Sequence, residues 1–148
     1  MSTMDAKVPP VAWALTGLLM QGLFTGRRPP RLVRAVALVV LVAAASLGLS
    51  AVRGFQRHGT TVDPHHLAAV TTLVTDGAHS ITRNPMYTAL LGGLVSVALW
   101  RGRAAALLPV VAVFSALNTF QVPAEEAALE AAFGADFQRY KDSVPRWI

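Results

Sequence analysis

Long apolar runs separated by short polar turns dominate the sequence. Mainly apolar runs lie at 9–26, 32–52, 86–100 and 104–122. A helix that crosses a bilayer needs roughly 20 consecutive apolar residues. Arg34, near the start of the second run, can extend its guanidinium to the membrane surface. We therefore predict four transmembrane helices, the first two of which form a hairpin.

The polar segment 53–85 joins the second run to the third. Its end places Arg83, Asn84 and Tyr87 within five positions, at the mouth of an apolar run. Pro85 suits the first position of a helix, where its missing N–H is not needed. This polar cluster is a candidate ligand site.

The last part of the chain has the spacing of an amphipathic helix at 123–142. Large apolar residues share one helical face at intervals of three and four: Leu129, Phe133, Phe137 and Tyr140. Glu125 belongs to the same face, whereas Glu126 points about 100° away. The predicted fold is all-α and integral to the membrane: a single domain, 1–148, of four transmembrane helices plus a C-terminal amphipathic helix.

Composition supports a membrane protein. Hydrophobic residues make up 53% of the chain and charged residues only 14%, about half the usual share. Lys and Arg outnumber Asp and Glu by 13 to 8, but the arginines lie between apolar runs and form no continuous basic face, so we expect no nucleic-acid partner. With no cysteine, and with His65 and His66 adjacent and therefore divergent, we expect no metal site.

Charge and composition say less about topology and assembly. Lys and Arg divide almost equally between the two sides of a four-span arrangement, so they do not fix its orientation. The small residues Ala43, Ala44, Ala45 and Gly48 permit close helix contact, including contact between copies of the chain. Richness in Ala, Val and Arg is typical of a prokaryotic source with a GC-rich genome.

Several motif blocks, in order, resemble one enzyme family. They are Gly77, Arg83-Asn84-Pro85-Met86-Tyr87, Glu125-Glu126 with Leu129, Phe133-Gly134, Tyr140 and Val144-Pro145-Arg146. Together they cover Phe55 to Ile148 and resemble the isoprenylcysteine carboxyl methyltransferases and, more distantly, the membrane phospholipid methyltransferases.

The resemblance implies a multi-pass membrane enzyme, in a prokaryotic cytoplasmic membrane, that binds S-adenosyl-L-methionine at the cytosolic face. A lipophilic small-molecule acceptor would enter from the surrounding membrane lipids. Cofactor contacts carried over by matching position are Thr71, Thr72, Leu73, Val74, His79, Asn84, Pro85, Met86, Tyr87, Glu125 and Glu126.

Two positions depart from the family pattern. His79 replaces a tyrosine, which keeps a flat ring but changes hydrogen bonding. Gln121 replaces an arginine four residues before the first acid, and so removes a cation that would recognise a prenylcysteine carboxylate. This departure leaves a phospholipid or other lipid-amine acceptor open, as well as a catalytically silent membrane scaffold.

Catalytic candidates are Arg83, Glu125 and Gln121. Arg83 could pair with the methionine carboxylate of the cofactor or extend to the membrane interface. Glu125 is an inward-facing acid that needs a partner such as a hydroxyl pair or a cation. Gln121 and Asn118, three positions apart, could line an acceptor pocket or make interhelical hydrogen bonds.

Each remaining candidate also has a purely structural interpretation. Asn84 could contact the cofactor or cap the helix that Pro85 begins. Tyr87 could belong to the site or to an interfacial aromatic belt. Glu126 could serve only the helix dipole, and a lone loop histidine such as His79 is more often structural than catalytic.

Overall fold

The computed structural model describes residues 8–59 and 72–148, and these are helical with no strand. Six α-helices follow one another: α1 (Pro10–Gly22), α2 (Arg31–Arg57), α3 (Pro85–Arg101), α4 (Leu108–Ala116), α5 (Val122–Phe133) and α6 (Ala135–Ser143). Short 3₁₀ turns lie at Gly77–Ser80 and Ala104–Leu107. The all-α class is confirmed for the described part of the chain.

Two helices have the length and apolarity to cross a membrane. They are Arg31–Arg57 and a continuous helical stretch, Ala104–Phe133, which we call the long helix. α1, with 13 residues, and α3, with 17, are shorter. Two of the four expected spans therefore meet this criterion, and α2 extends through Arg57 into the segment predicted to be a loop.

The long helix corrects the predicted boundary at Pro123. A turn of π-helix at Leu117–Gln121, in which the N–H of Val122 donates to the carbonyl of Leu117, precedes that proline. A wider turn accommodates a residue that lacks an N–H, so the helix continues instead of starting anew. Glu125 and Glu126 thus lie deep within a long helix, and a first-turn dipole role does not apply to them.

The predicted single helix at 123–142 is also interrupted. Gly134 has φ 50° and ψ −119°, a conformation that glycine adopts most readily, and it separates α5 from α6. α6 turns so that Phe137, Tyr140 and Val144 form a small core with Leu73 and neighbouring side chains of α5. The aromatic face predicted for one helix is therefore assembled from two.

α3 is the central helix and packs against α1, α2 and the long helix. Its contact with α2 is antiparallel and uses small residues: Ser96 donates to the Ala37 carbonyl at 2.7 Å, and Gly92 faces Ala44. The buried residues Ala37, Ala44 and Ala51 recur every seven positions along α2. Small side chains therefore let the two backbones approach closely.

The surface of the helices remains strongly apolar. Leu32, Val39 and Leu49 on α2 are each more than half exposed, as are Leu108 and Val111 on the long helix. An exposed apolar surface of this extent marks an interaction or membrane-facing region. This exposure agrees with helices that are surrounded by lipid.

The α2–α3 contact can be tested with two adjacent glycines. A Cβ at Gly92 would lie 2.9 Å from the Ala44 Cβ, whereas one at Gly93 would meet nothing within 4 Å. We expect Gly92→Ala to lower the free energy of unfolding by about 1–3 kcal/mol through overpacking. Gly93→Ala should leave it unchanged or raise it slightly. Denaturation in micelles measures both, and equal stability of the two variants would contradict this packing.

Candidate functional site

The residues that carry the site gather where α3 begins, the long helix passes and the C-terminal tail returns. Asn84 precedes α3, and Pro85 occupies its first position as predicted. Tyr87 follows on the first turn and is 5% exposed. The site is therefore built on the end of a rigid helix.

Glu125 receives hydrogen bonds from two sides. The Tyr87 hydroxyl donates to its Oε1 at 2.6 Å, and the Gln121 Nε2 donates to the same oxygen at 2.8 Å. No hydrogen bond to Oε2 is found among residues 8–59 and 72–148. The pair Tyr87 and Glu125, separated by 38 positions in the chain, thus presents one carboxylate oxygen for a further partner.

Glu126 lies in a different environment, between two arginines. Its Oε1 accepts from Arg83 Nη2 at 2.9 Å and from Arg146 Nε at 3.0 Å, and its Oε2 accepts from Arg146 Nη2 at 2.5 Å. The side chains of Glu126 and Arg83 are 12% and 11% exposed. The three groups form an ion triad with one surplus positive charge, in which only Arg146 is substantially exposed, at 33%.

Arg83 is further held by the backbone of the tail. Its Nη1 donates to the carbonyls of Lys141 and Val144 at 2.9 and 3.1 Å, while its Nε is buried and has no partner among the described residues. Both terminal nitrogens are therefore already engaged. Arg83 therefore links the segment before α3 to the tail and to Glu126.

The tail is fastened to the segment before α3. The Arg83 N–H donates to the Pro145 carbonyl at 2.9 Å, and both the Thr82 hydroxyl and the Asn84 Nδ2 donate to the Arg146 carbonyl, at 2.7 and 3.2 Å. Asn84 makes no side-chain cap on α3, so the capping interpretation of this residue is not the one observed. Its amide instead helps to hold the tail.

Asn118 also serves the tail. Its Oδ1 accepts from Trp147 Nε1 at 2.9 Å and from Arg146 Nη1 at 3.5 Å. Asn118 thus bonds to the tail, which follows α6, and not to a second helix as one interpretation had it. Gln121, three residues later, lies beside Glu125.

His79 is buried in the turn before α3. Its ring packs edge-on against Phe55, with the ring centroids 4.9 Å apart, and its backbone carbonyl accepts from the Tyr140 hydroxyl at 2.6 Å. Burial lowers the pKa of His79 to about 4, against the opposing attraction of Asp76. The imidazole is therefore neutral at physiological pH.

The other predicted cofactor contacts are spread around this turn. Val74 is buried close to Gly54, Leu73 packs against the α6 core, and Thr72 and Met86 are partly exposed. Thr71, His65 and His66 lie outside the described residues. Among the described residues no group of three or more His, Cys, Asp or Glu could hold a metal ion.

Sequence reasoning had assigned no individual role to Arg146, Trp147, Thr82 or Tyr140. One signal pointed toward the first of them: Glu126, an acid in an apolar region, requires a cation. No local pattern could identify which of the 13 basic residues would meet it.

The Arg83–Glu126–Arg146 triad should be a major source of stability. Glu126→Gln leaves the largely buried Arg83 and the one-third exposed Arg146 without their counter-charge, so we expect a loss of about 2–3 kcal/mol in the free energy of unfolding. Glu130→Gln is the matched control. Glu130 is 52% exposed and 3.4 Å from Lys141, and its replacement should change stability by less than about 1 kcal/mol. Similar losses in both variants would argue against the triad.

The burial of His79 predicts a pH effect. The unfolded chain binds a proton at this residue near pH 6.5 and the folded chain only near pH 4. The contribution of His79 to the free energy of unfolding is therefore fully present above about pH 6.5. It is lost as the pH drops toward 4, which lowers the free energy of unfolding by about 1–3 kcal/mol. Thermal unfolding across this range measures the effect. His79→Gln should flatten the profile, whereas the exposed His58→Gln should largely retain it; identical slopes in all three proteins would exclude His79 as the source.

Comparison with known proteins agrees with the resemblance seen in the sequence. The family model for phospholipid methyltransferases matches residues 32–136. An uncharacterized protein of Haemophilus influenzae is 41% identical over 63 residues, which is 43% of this chain and the whole of that relative. No solved structure matches the chain significantly. The family match indicates a membrane methyltransferase that acts on lipid-like substrates.

Proposed function

We propose, from the fact that the chain belongs to the phospholipid methyltransferase family, that it transfers a methyl group from S-adenosylmethionine to a small lipophilic acceptor. The acceptor enters sideways from the bilayer. The observation that carries the proposal is the contact between the Tyr87 hydroxyl and the Glu125 carboxylate. Methyltransferases of this family generally use S-adenosylmethionine.

The residues around Glu125 suit that cofactor. Its Oε1 is saturated by Tyr87 and Gln121, so Oε2 can accept from the ribose hydroxyls or pair with the ammonium group of the methionine part. Such a partner would offset the desolvation of an acid in an apolar region. Residues 72–74, His79 and the 84–87 segment enclose the adjacent space in this proposal.

The protein's part in the reaction is positioning. When bound, the cofactor supplies an electrophilic methyl group on a sulfonium, and in-line displacement requires only that the acceptor atom be held at attack distance away from bulk water. Tyr87 and Gln121 orient Glu125, while Arg83, held by Glu126 and the tail, is a positioning residue. Neutral His79 contributes a flat, buried ring.

The chemical class of the acceptor depends on the residue at position 121. An acceptor like that of the isoprenylcysteine carboxyl methyltransferases carries a carboxylate, but the described residue at the matching position is the neutral Gln121. The family match and this neutral side chain favour a phospholipid or another lipid amine as the alternative. We place the enzyme as a multi-pass protein in a prokaryotic cytoplasmic membrane, with the cofactor site facing the cytosol.

Glu125→Gln tests the cofactor site. It leaves the ligand's donors without a carboxylate, and we expect S-adenosylmethionine and its demethylated product to bind about 5- to 150-fold more weakly, equivalent to about 1–3 kcal/mol. Isothermal titration calorimetry measures both affinities. Tyr87→Phe should also weaken binding. Glu130→Gln, an exposed acid on the same helix, is the control. Unchanged affinity of the Glu125 variant would remove this carboxylate from the site.

Transfer of a labelled methyl group identifies the acceptor. Purified protein in lipid is presented with phospholipids, quinones and prenyl thiols, and one class should become labelled in a Glu125-dependent manner. Binding of the cofactor without any labelling would exclude these acceptors. If neither binding nor labelling is observed in detergent and in lipid, a catalytically silent scaffold is favoured.

A further inference from the structure

A second candidate site lies at the far end of the helices. A cleft of about 450 Å³ opens where the α1–α2 turn, the end of α3 and the start of the long helix meet. It is lined by Arg27, Arg28, Pro29, Pro30, Val33, Ala98, Leu99, Gly102, Arg103, Ala104 and Leu107. From Tyr87 to Leu99 along α3 is about 18 Å at the helical rise, so this cleft is separate from the Tyr87–Glu125 pair.

The charges around this cleft are uncompensated. Arg27, Arg28 and Arg103 line it, and three further arginines flank it at positions 31, 34 and 101. The described acidic residues are Asp76 before α3, three glutamates on α5 and two aspartates on α6. These elements lie at the opposite end of α3, where α6 contacts His79 and Arg83. No acidic side chain among the described residues is therefore close enough to neutralise this group.

The backbone that carries these arginines is packed in place. Gly102 has φ 63°, and a Cβ there would clash with the Arg27 carbonyl, so the α1–α2 turn packs against the end of α3. Arg103 Nη1 donates to the Thr25 carbonyl at 3.4 Å, and the Arg34 guanidinium lies over the Trp100 ring at 5.2 Å from the centroid. The Nε of Arg101 is buried and has no partner among the described residues. The walls of the cleft are thus set by packed backbone, and Arg27, Arg28 and Arg103 are exposed at its mouth.

We propose that this cleft binds the phosphate of an anionic phospholipid. Arginine is suited to phosphate because its planar fork donates two parallel hydrogen bonds. The same cleft has an apolar wall of Val33, Leu99 and Leu107, and exposed Leu108 and Val111 continue it along the long helix. A headgroup between the arginines would leave its acyl chains against that apolar strip, which a free phosphate could not use.

Native mass spectrometry of the full chain in mixed micelles of phosphatidylglycerol and phosphatidylcholine tests this site. We expect retained phosphatidylglycerol to exceed phosphatidylcholine by about tenfold. The variant Arg27→Gln/Arg28→Gln/Arg103→Gln should lose this preference. The control Arg53→Gln/Arg57→Gln/Arg139→Gln removes three charges from residues outside the cleft and should keep it.

A second variant tests the cleft without altering charge. Ala104→Trp fills the space beside the arginines and should also abolish the preference, with circular dichroism verifying the helices in every variant. Excess inorganic phosphate should not displace the retained lipid. The proposal is overturned if the wild type shows no preference, if the control variant loses it equally, if Ala104→Trp retains it, or if inorganic phosphate displaces the lipid.

Discussion

The carboxylate of Glu126 is the point at which three distant parts of the chain are joined. Arg83 reaches it from the segment before α3, Arg146 reaches it from the C-terminal tail, and Glu126 itself belongs to the long helix. A largely buried charge without partners is highly unfavourable, so each of the three groups constrains the other two. Glu125 adjoins Glu126 in the chain, and Tyr87 follows Arg83 by four residues. The ion triad therefore helps to position the contact between Tyr87 and Glu125.

The neighbouring acids Glu125 and Glu126 have different partners because of helix geometry. Successive residues of an α-helix point about 100° apart, so Glu126 can face the arginines while Glu125 faces Tyr87. The π turn at Leu117–Gln121 sets the direction of both. Such a turn adds one residue to the helix, and without it Glu125 would point about 100° away from Tyr87.

The sequence predicted local features well and long-range ones incompletely. Apolar runs gave the helical class, Pro85 gave the start of α3, and the spacing of Glu125 and Glu126 gave their different directions. Pro123 misled because a proline favours the first turn of a helix and was read as the start of one, whereas here a π turn carries the preceding helix through it. Gly134 was read as part of a motif, and its positive φ, which separates α5 from α6, was not predicted.

The tail contacts show the same limit. Nothing in the spacing of Pro145 or Arg146 indicates that their carbonyls accept from Arg83, Thr82 and Asn84. By contrast, the small residues Ala44 and Gly48 were recognised as sites of close helix contact, and both face α3 within the same chain. Composition thus identified the contact surface, but the partner helix required the structure.

The two ends of the molecule treat positive charge in opposite ways. At the Glu126 end, arginines are paired with a carboxylate and with backbone carbonyls, so they fix the fold. At the Gly102 end, arginines surround a cleft with no described acid nearby, so their charge remains available to an external anion. α3 links the two ends and packs against α2 through glycine and alanine, which leaves little room for independent movement. The charge and shape of both ends are therefore set by packing within the fold.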